Sequence, residues 1–106
     1  MNFIESVELK KRIDQNEKIL IVDIREPYEL ENCRLEGTLQ IPMGELIERH
    51  TELPTDSSLV IMCKTGKRAE AIANFLHTEF GYNNLLILSG GLTKWAEEIE
   101  PQLELY

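Results

Sequence analysis

Cysteine is scarce in this chain: Cys33 and Cys63 are the only two among 106 residues. Two thiols cannot build a disulfide-stapled scaffold, and free thiols are the expectation. Long apolar runs are missing too. No stretch approaches the ~18 residues of a membrane span, so no transmembrane helix is expected. The opening MNFIESVELKKRIDQNE is charged from Glu5 onward. It has no apolar core of the kind a secretory signal needs, so a cytoplasmic location is the expectation. Cations are in the minority, 11 against 19 acids, for a formal net charge of −8. That balance argues against nucleic acid as a partner. The two histidines, His50 and His77, show no ligand spacing with the cysteines, and no metal site is expected. Internal repeats, low-complexity tracts and Gly-, Pro- or Ser-rich linkers are also missing.

What is present reads as one ordinary domain over residues 1–106. A domain of this length buries about two thirds of its unfolded surface, enough for one core. Residues 6–15, SVELKKRIDQ, suit a short helix with Ser6 as N-cap and Leu9 and Ile13 on one face. KILIVDI (18–24), SLVIMC (58–63) and NLLIL (84–88) are apolar runs of the kind found in strands buried on both faces. A short strand, TLQIP (38–42), is closed by Pro42. EPYELE (26–31) suits a helical turn opened by Pro27, and MGELIERH (43–50) a second short helix. From Lys67 a helical period sets in, with Ala69, Ile72, Ala73, Leu76 and Phe80 on one face and Gly81 as its stop. SGG (89–91) turns the chain into a last helix, LTKWAEEI (92–99), where Trp95 reads as core. Strands alternating with helices predict an α/β fold with a largely parallel sheet. Sites in such sheets form beyond the carboxyl ends of the strands. Asp23–Arg25 and Cys63–Arg68 stand there.

The second segment carries the chemistry. In CKTGKR the thiol of Cys63 ends a buried strand, and Lys64, Lys67 and Arg68 follow within five residues. Gly66 permits a tight turn. Successive N–H groups in such a turn form an anion-binding nest, and a helix start adds unsatisfied N–H groups and the positive end of its dipole. These features favour a nucleophilic thiolate at Cys63. The plainer reading is a small buried thiol at a strand end. No His, Asp or Glu lies in the loop, so activation is expected to be electrostatic and without a general base. His77 falls off the apolar face of its helix, and His50 ends a helix, where a cation suits the dipole.

These residues resemble the rhodanese family of sulfurtransferases, from about Ser6 to Trp95. CKTGKRA resembles that family's six-residue active loop. VDIREPYELE resembles its early strand-end signature, LEGTLQIP its segment leading to Ile-Pro, and LSGGLTKW its terminal Gly-Gly…Trp. The resemblance implies a rhodanese-like fold, a mostly parallel central sheet with helices on both faces. It implies that Cys63 takes up a sulfane sulfur as a persulfide, with no other cofactor. The backbone of Lys64, Thr65, Gly66, Lys67 and Arg68 would cradle that sulfur. Asp23 and Arg25 would orient the loop or bind an anionic donor at the mouth, or else pair only with each other. Implied donors are a small sulfur anion such as thiosulfate or a protein persulfide. ENCRLEGTLQIPMGEL (31–46) is similar to rhodanese-like domains appended to adenylyltransferases of the ubiquitin-activating type. That likeness implies a sulfur-carrier protein or an adenylyltransferase as partner. Cys33 is then either a buried structural thiol or a second relay thiol. Two alternatives stay open, a binding module without turnover and a cysteine-dependent phosphatase. The phosphatase loop needs five residues between Cys and Arg, whereas four separate Cys63 from Arg68.

Overall fold

The computed structural model describes residues 2–103. The chain runs β1 (Asn2–Ile4), α1 (Ser6–Asp14), β2 (Ile19–Asp23), α2 (Pro27–Asn32), β3 (Leu39–Gln40), α3 (Met43–Arg49), a 3-10 turn (His50–Glu52), β4 (Ser58–Met62), α4 (Lys67–Phe80), β5 (Leu85–Leu88) and α5 (Gly91–Glu98). The five strands form one sheet in the order β1-β5-β4-β2-β3. Every pairing is parallel. All carboxyl ends therefore share one edge, and the expected α/β architecture is what the chain forms.

Side chains alternate across the sheet with a period of two. Val22, Leu59, Ile61, Leu85 and Ile87 face Leu46 of α3 and Ala69, Ile72, Ala73 and Leu76 of α4. Ile21, Val60, Met62 and Leu88 face the other way, onto Leu9 of α1 and Leu92 and Trp95 of α5. Burial on both faces is why β2, β4 and β5 read as unbroken apolar runs. Phe80, predicted on the buried face of α4, is the last residue of that helix and is 39% exposed.

Two local expectations differ. Asn2–Ile4 pairs with β5, Phe3 opposite Ile87. Three residues are too few to show a period, so this strand is invisible before its partner is known. The N-cap of α1 is Glu5, and Ser6 begins the helix with its hydroxyl buried.

The carboxyl edge gathers three segments. β2 and β4 are neighbours in register, Asp23 opposite Met62. The Ile24 N–H donates to the Met62 carbonyl at 3.0 Å. β4 also pairs with β5, which leads into Gly90 and Gly91. The segments after β2, β4 and β5 thus meet at one place.

Candidate active site

Cys63 is the first residue after β4 and is 1% exposed. Its Sγ accepts the Gly66 N–H at 3.0 Å and the Ala69 N–H at 3.4 Å. Gly66 occupies the N-cap of α4 with φ +106°, a left-handed angle that glycine adopts without penalty. Ala69 is the third residue of that helix, and its N–H has no partner within it. The helix therefore aims an orphan donor at the sulfur. Lys64 to Arg68 were the expected cradle. Gly66 lies in that range and Ala69 just beyond it, because the donors at a helix start extend through its first turn.

α5 shapes the loop from outside. The Leu92 N–H donates to the Cys63 carbonyl at 2.9 Å and the Thr93 N–H to the Lys64 carbonyl at 3.0 Å. A trans peptide points its N–H opposite to its C=O. Holding these carbonyls against α5 turns the N–H groups of Lys64 and Thr65 away from it. Gly91 makes the approach possible. A Cβ there would lie 2.5 Å from the Cys63 oxygen and 2.6 Å from the Lys64 oxygen. The Gly-Gly pair signalled a turn, but contact with the Cys63 loop required the packing of β5 beside β4.

The charges differ from a simple cluster of three cations. Lys64 is half-buried and Lys67 exposed. The Arg68 guanidinium meets Glu29 fork to fork, Nη1 to Oε1 at 2.7 Å and Nη2 to Oε2 at 2.9 Å. Glu29 is 3% exposed, and its Oε1 also accepts the Glu26 N–H at 2.9 Å. Glu29 was not among the expected site residues. The signal that could have found it is the E-x-x-E spacing of Glu26 and Glu29 across Pro27, a capping box at the start of α2.

Asp23 and Arg25 take the second of the arrangements expected for them, the local pair. Both are fully buried. Arg25 Nη2 donates to Asp23 Oδ2 at 2.8 Å and to the Cys33 carbonyl at 2.8 Å, and its Nε to Asp23 Oδ1 at 3.0 Å. Arg25 is therefore turned inward and not open at the mouth. The pair ties the end of β2 to the segment after α2, and local pairing is what the structure shows. Thr65 is exposed in the loop.

Cys33 packs with Ile21, Leu35, Val60 and Met62, on the sheet face opposite to the cluster that holds Cys63. Both thiols are free. Burial pushes the Cys33 thiol above its usual range. His50 stacks on Phe80 at 3.8 Å and accepts at its backbone oxygen the Tyr82 hydroxyl, 2.7 Å away. His77 is exposed, and its Nδ1 lies 2.6 Å from the Tyr82 carbonyl, to which it donates. Both histidines sit by the amino-terminal edge of the sheet, away from Cys63. Among the described residues no group of His, Cys, Asp and Glu could hold a metal, and no helix is long and apolar enough to cross a membrane.

Residues 5–98 match the family model described as rhodanese-like domain. A protein named "Sulfurtransferase" from Allochromatium vinosum is 36% identical over 101 residues, covering 95% of this chain and 94% of its own length. The "Probable adenylyltransferase/sulfurtransferase MoeZ" of Mycobacterium tuberculosis is 32% identical over 102 residues, covering 93% of this chain and 26% of MoeZ. The crystal structure of a rhodanese-related protein from Thermoplasma volcanium superposes with a TM-score of 0.84 at 30% identity, covering 95% of this chain and 96% of that one.

Proposed function

The chain belongs to the rhodanese-like domain family, and from that premise we propose that it is a sulfurtransferase in which Cys63 carries sulfane sulfur from a donor to an acceptor. In the first half-reaction the Cys63 thiolate attacks the outer sulfur of thiosulfate or of a persulfide. With thiosulfate, an S–S bond forms to Cys63, the donor S–S bond breaks, and sulfite leaves with the electron pair. In the second half-reaction a thiolate or cyanide attacks the outer sulfur of the persulfide, and the Cys63 thiolate is the leaving group. No proton transfer is obligatory, which suits a loop without a general base. The chemistry calls for no cofactor beyond the persulfide itself.

The observation that carries this reading is the pair of backbone donors on one sulfur, Gly66 N–H at 3.0 Å and Ala69 N–H at 3.4 Å. Fixed donors of this kind stabilise an anion without the reorganisation that water would need. Lys67 at the exposed end of the loop suits an anionic donor. Thiosulfate serves as a test substrate, and a protein persulfide meets the same chemistry. The likeness to one segment of MoeZ supports a protein acceptor, a small sulfur carrier activated by an adenylyltransferase. Free thiols suit a reducing compartment such as the cytoplasm.

The test is intact mass after incubation with thiosulfate. One sulfur, a gain of about 32 Da, is expected on Cys63 and not on Cys63→Ser, which should unfold as cooperatively as the parent. An adduct that persists in Cys63→Ser would overturn the assignment. No adduct together with hydrolysis of p-nitrophenyl phosphate would install the phosphatase reading instead.

A further inference from the structure

A loop with a nucleophilic cysteine, backbone donors and an arginine is also a good seat for phosphate or sulfate. Something must keep those abundant oxyanions from occupying it. The geometry points to Glu29 as the specificity-determining residue: it occupies the guanidinium fork of Arg68 and so keeps tetrahedral oxyanions off the Cys63 loop. This inference rests on the sulfur-transfer reading of the same site.

The planar fork of arginine matches carboxylate and phosphate equally well, because both offer two oxygens at the right separation. Here that edge of Arg68 is taken by Glu29, at 2.7 and 2.9 Å. The carboxylate is not a passing surface partner. Its side chain is 4% exposed, while that of Arg68 is 37% exposed. Its Oε1 is fixed by the Glu26 N–H at 2.9 Å. The α2 helix that carries it is anchored in turn by Arg25, which reaches Asp23 and the Cys33 carbonyl. An oxyanion would have to pull Arg68 from a partner that is already desolvated and preorganised.

The charge of the loop changes accordingly. With Glu29 opposite Arg68, the three cations of residues 64, 67 and 68 are reduced from +3 to +2. A thiolate or persulfide carries a single negative charge, which two N–H donors and a loop of net positive formal charge can balance. A dianion seated beside that sulfur brings the local negative charge to three. Sulfur can enter the ring as a lone atom, while the oxyanion part of a donor stays outside. Glu29 is thus a positioning residue. It acts through Arg68, while the sulfur itself accepts from the Gly66 and Ala69 N–H groups.

The isosteric Glu29→Gln keeps an acceptor for the Glu26 N–H and removes the charge. Two readouts separate the inference from the function it rests on. Protection of Cys63 from iodoacetamide by inorganic phosphate needs no turnover. The phosphate concentration for half-protection should fall about tenfold in Glu29→Gln. In the double variant Glu29→Gln/Arg68→Gln that gain should vanish, because the released fork is gone. The mass gain on Cys63 from thiosulfate reports the sulfur-transfer reading by itself. Loss of that adduct in the parent protein would remove the functional reading while the alkylation arm still measured what Glu29 excludes. Glu29→Asp should restore most of the parent's phosphate resistance if charge at this place is what matters. Equal half-protection in the parent and in folded Glu29→Gln, or a gain that survives removal of Arg68, would overturn the inference.

Discussion

Replacing Gly91 by alanine tests how the Cys63 loop is held. Gly91 has φ +60°, and an alanine Cβ there would stand 2.5 Å from the Cys63 oxygen, 2.6 Å from the Lys64 oxygen and 2.7 Å from the Lys64 carbonyl carbon. Real Cβ contacts are essentially never under 3.0 Å, so the loop and α5 must separate by at least 0.5 Å. None of the three atoms can move alone, since all belong to the backbone of the loop. The left-handed conformation costs about 1–2 kcal/mol for a residue with a side chain. Separation weakens two hydrogen bonds, Leu92 N–H to Cys63 and Thr93 N–H to Lys64, each contributing about 1 kcal/mol. Gly91→Ala should therefore lose about 3–4 kcal/mol by urea denaturation. A shift of about half an ångström under the sulfur should slow persulfide formation roughly tenfold or more. Gly37→Ala is the control. Its φ of +75° carries the same conformational cost, but its Cβ would meet nothing within 4 Å. It should lose only about 1–2 kcal/mol and keep the parent's rate of sulfur uptake. If Gly91→Ala matches Gly37→Ala within about 0.5 kcal/mol and loads sulfur at the parent rate, α5 does not set the loop.

Other perturbations read other parts of the molecule. Cys33→Ser should keep most thiosulfate-dependent transfer, because the two thiols face opposite sides of the sheet. A loss as large as that of Cys63→Ser in a cyanolysis assay would place Cys33 in the relay after all. Arg25→Met leaves the Asp23 carboxylate buried without its guanidinium, and the loss should be about 3–5 kcal/mol by chemical denaturation. Unchanged stability with weakened thiosulfate binding would return Arg25 to the mouth. Burial raises the Cys33 thiol above the ordinary thiol range. The folded protein then keeps a proton that the unfolded chain gives up. Its contribution is whole below the ordinary thiol range and falls as pH rises through that range toward the raised value. Stability measured from pH 8 upward should fall less steeply in Cys33→Ala than in the parent, and identical slopes would refute the assignment. Tyr82, also raised from 10.0 by burial, adds the same sign at still higher pH and is common to both proteins.

Cys63 and the helix after it were legible before any coordinates. Four apolar residues, a cysteine, a glycine and then a helical period are all local signals. Each is set by backbone sterics and burial over a few neighbours. The parallel architecture followed from the same source, since unbroken apolar strands need helices on both faces. Partner choice is a different kind of fact. By sequence alone Arg68 could equally have faced solvent. It meets a residue 39 positions away because β2 lies beside β4 and brings α2 to the loop. Arg25 looks like a mouth residue by its place after a strand, yet it turns inward to satisfy Asp23 and a carbonyl of the next segment. Gly91 reads as a turn, and only the adjacency of β5 and β4 makes it the point where α5 grips the Cys63 and Lys64 carbonyls. By itself the sequence determined the cysteine at the strand end, the glycine turn behind it and the helix that follows. Tertiary structure alone decided which donors reach the sulfur, which cation is neutralised and which cysteine stands apart. Those depend on strand order and sheet face, which couple residues far apart in the chain.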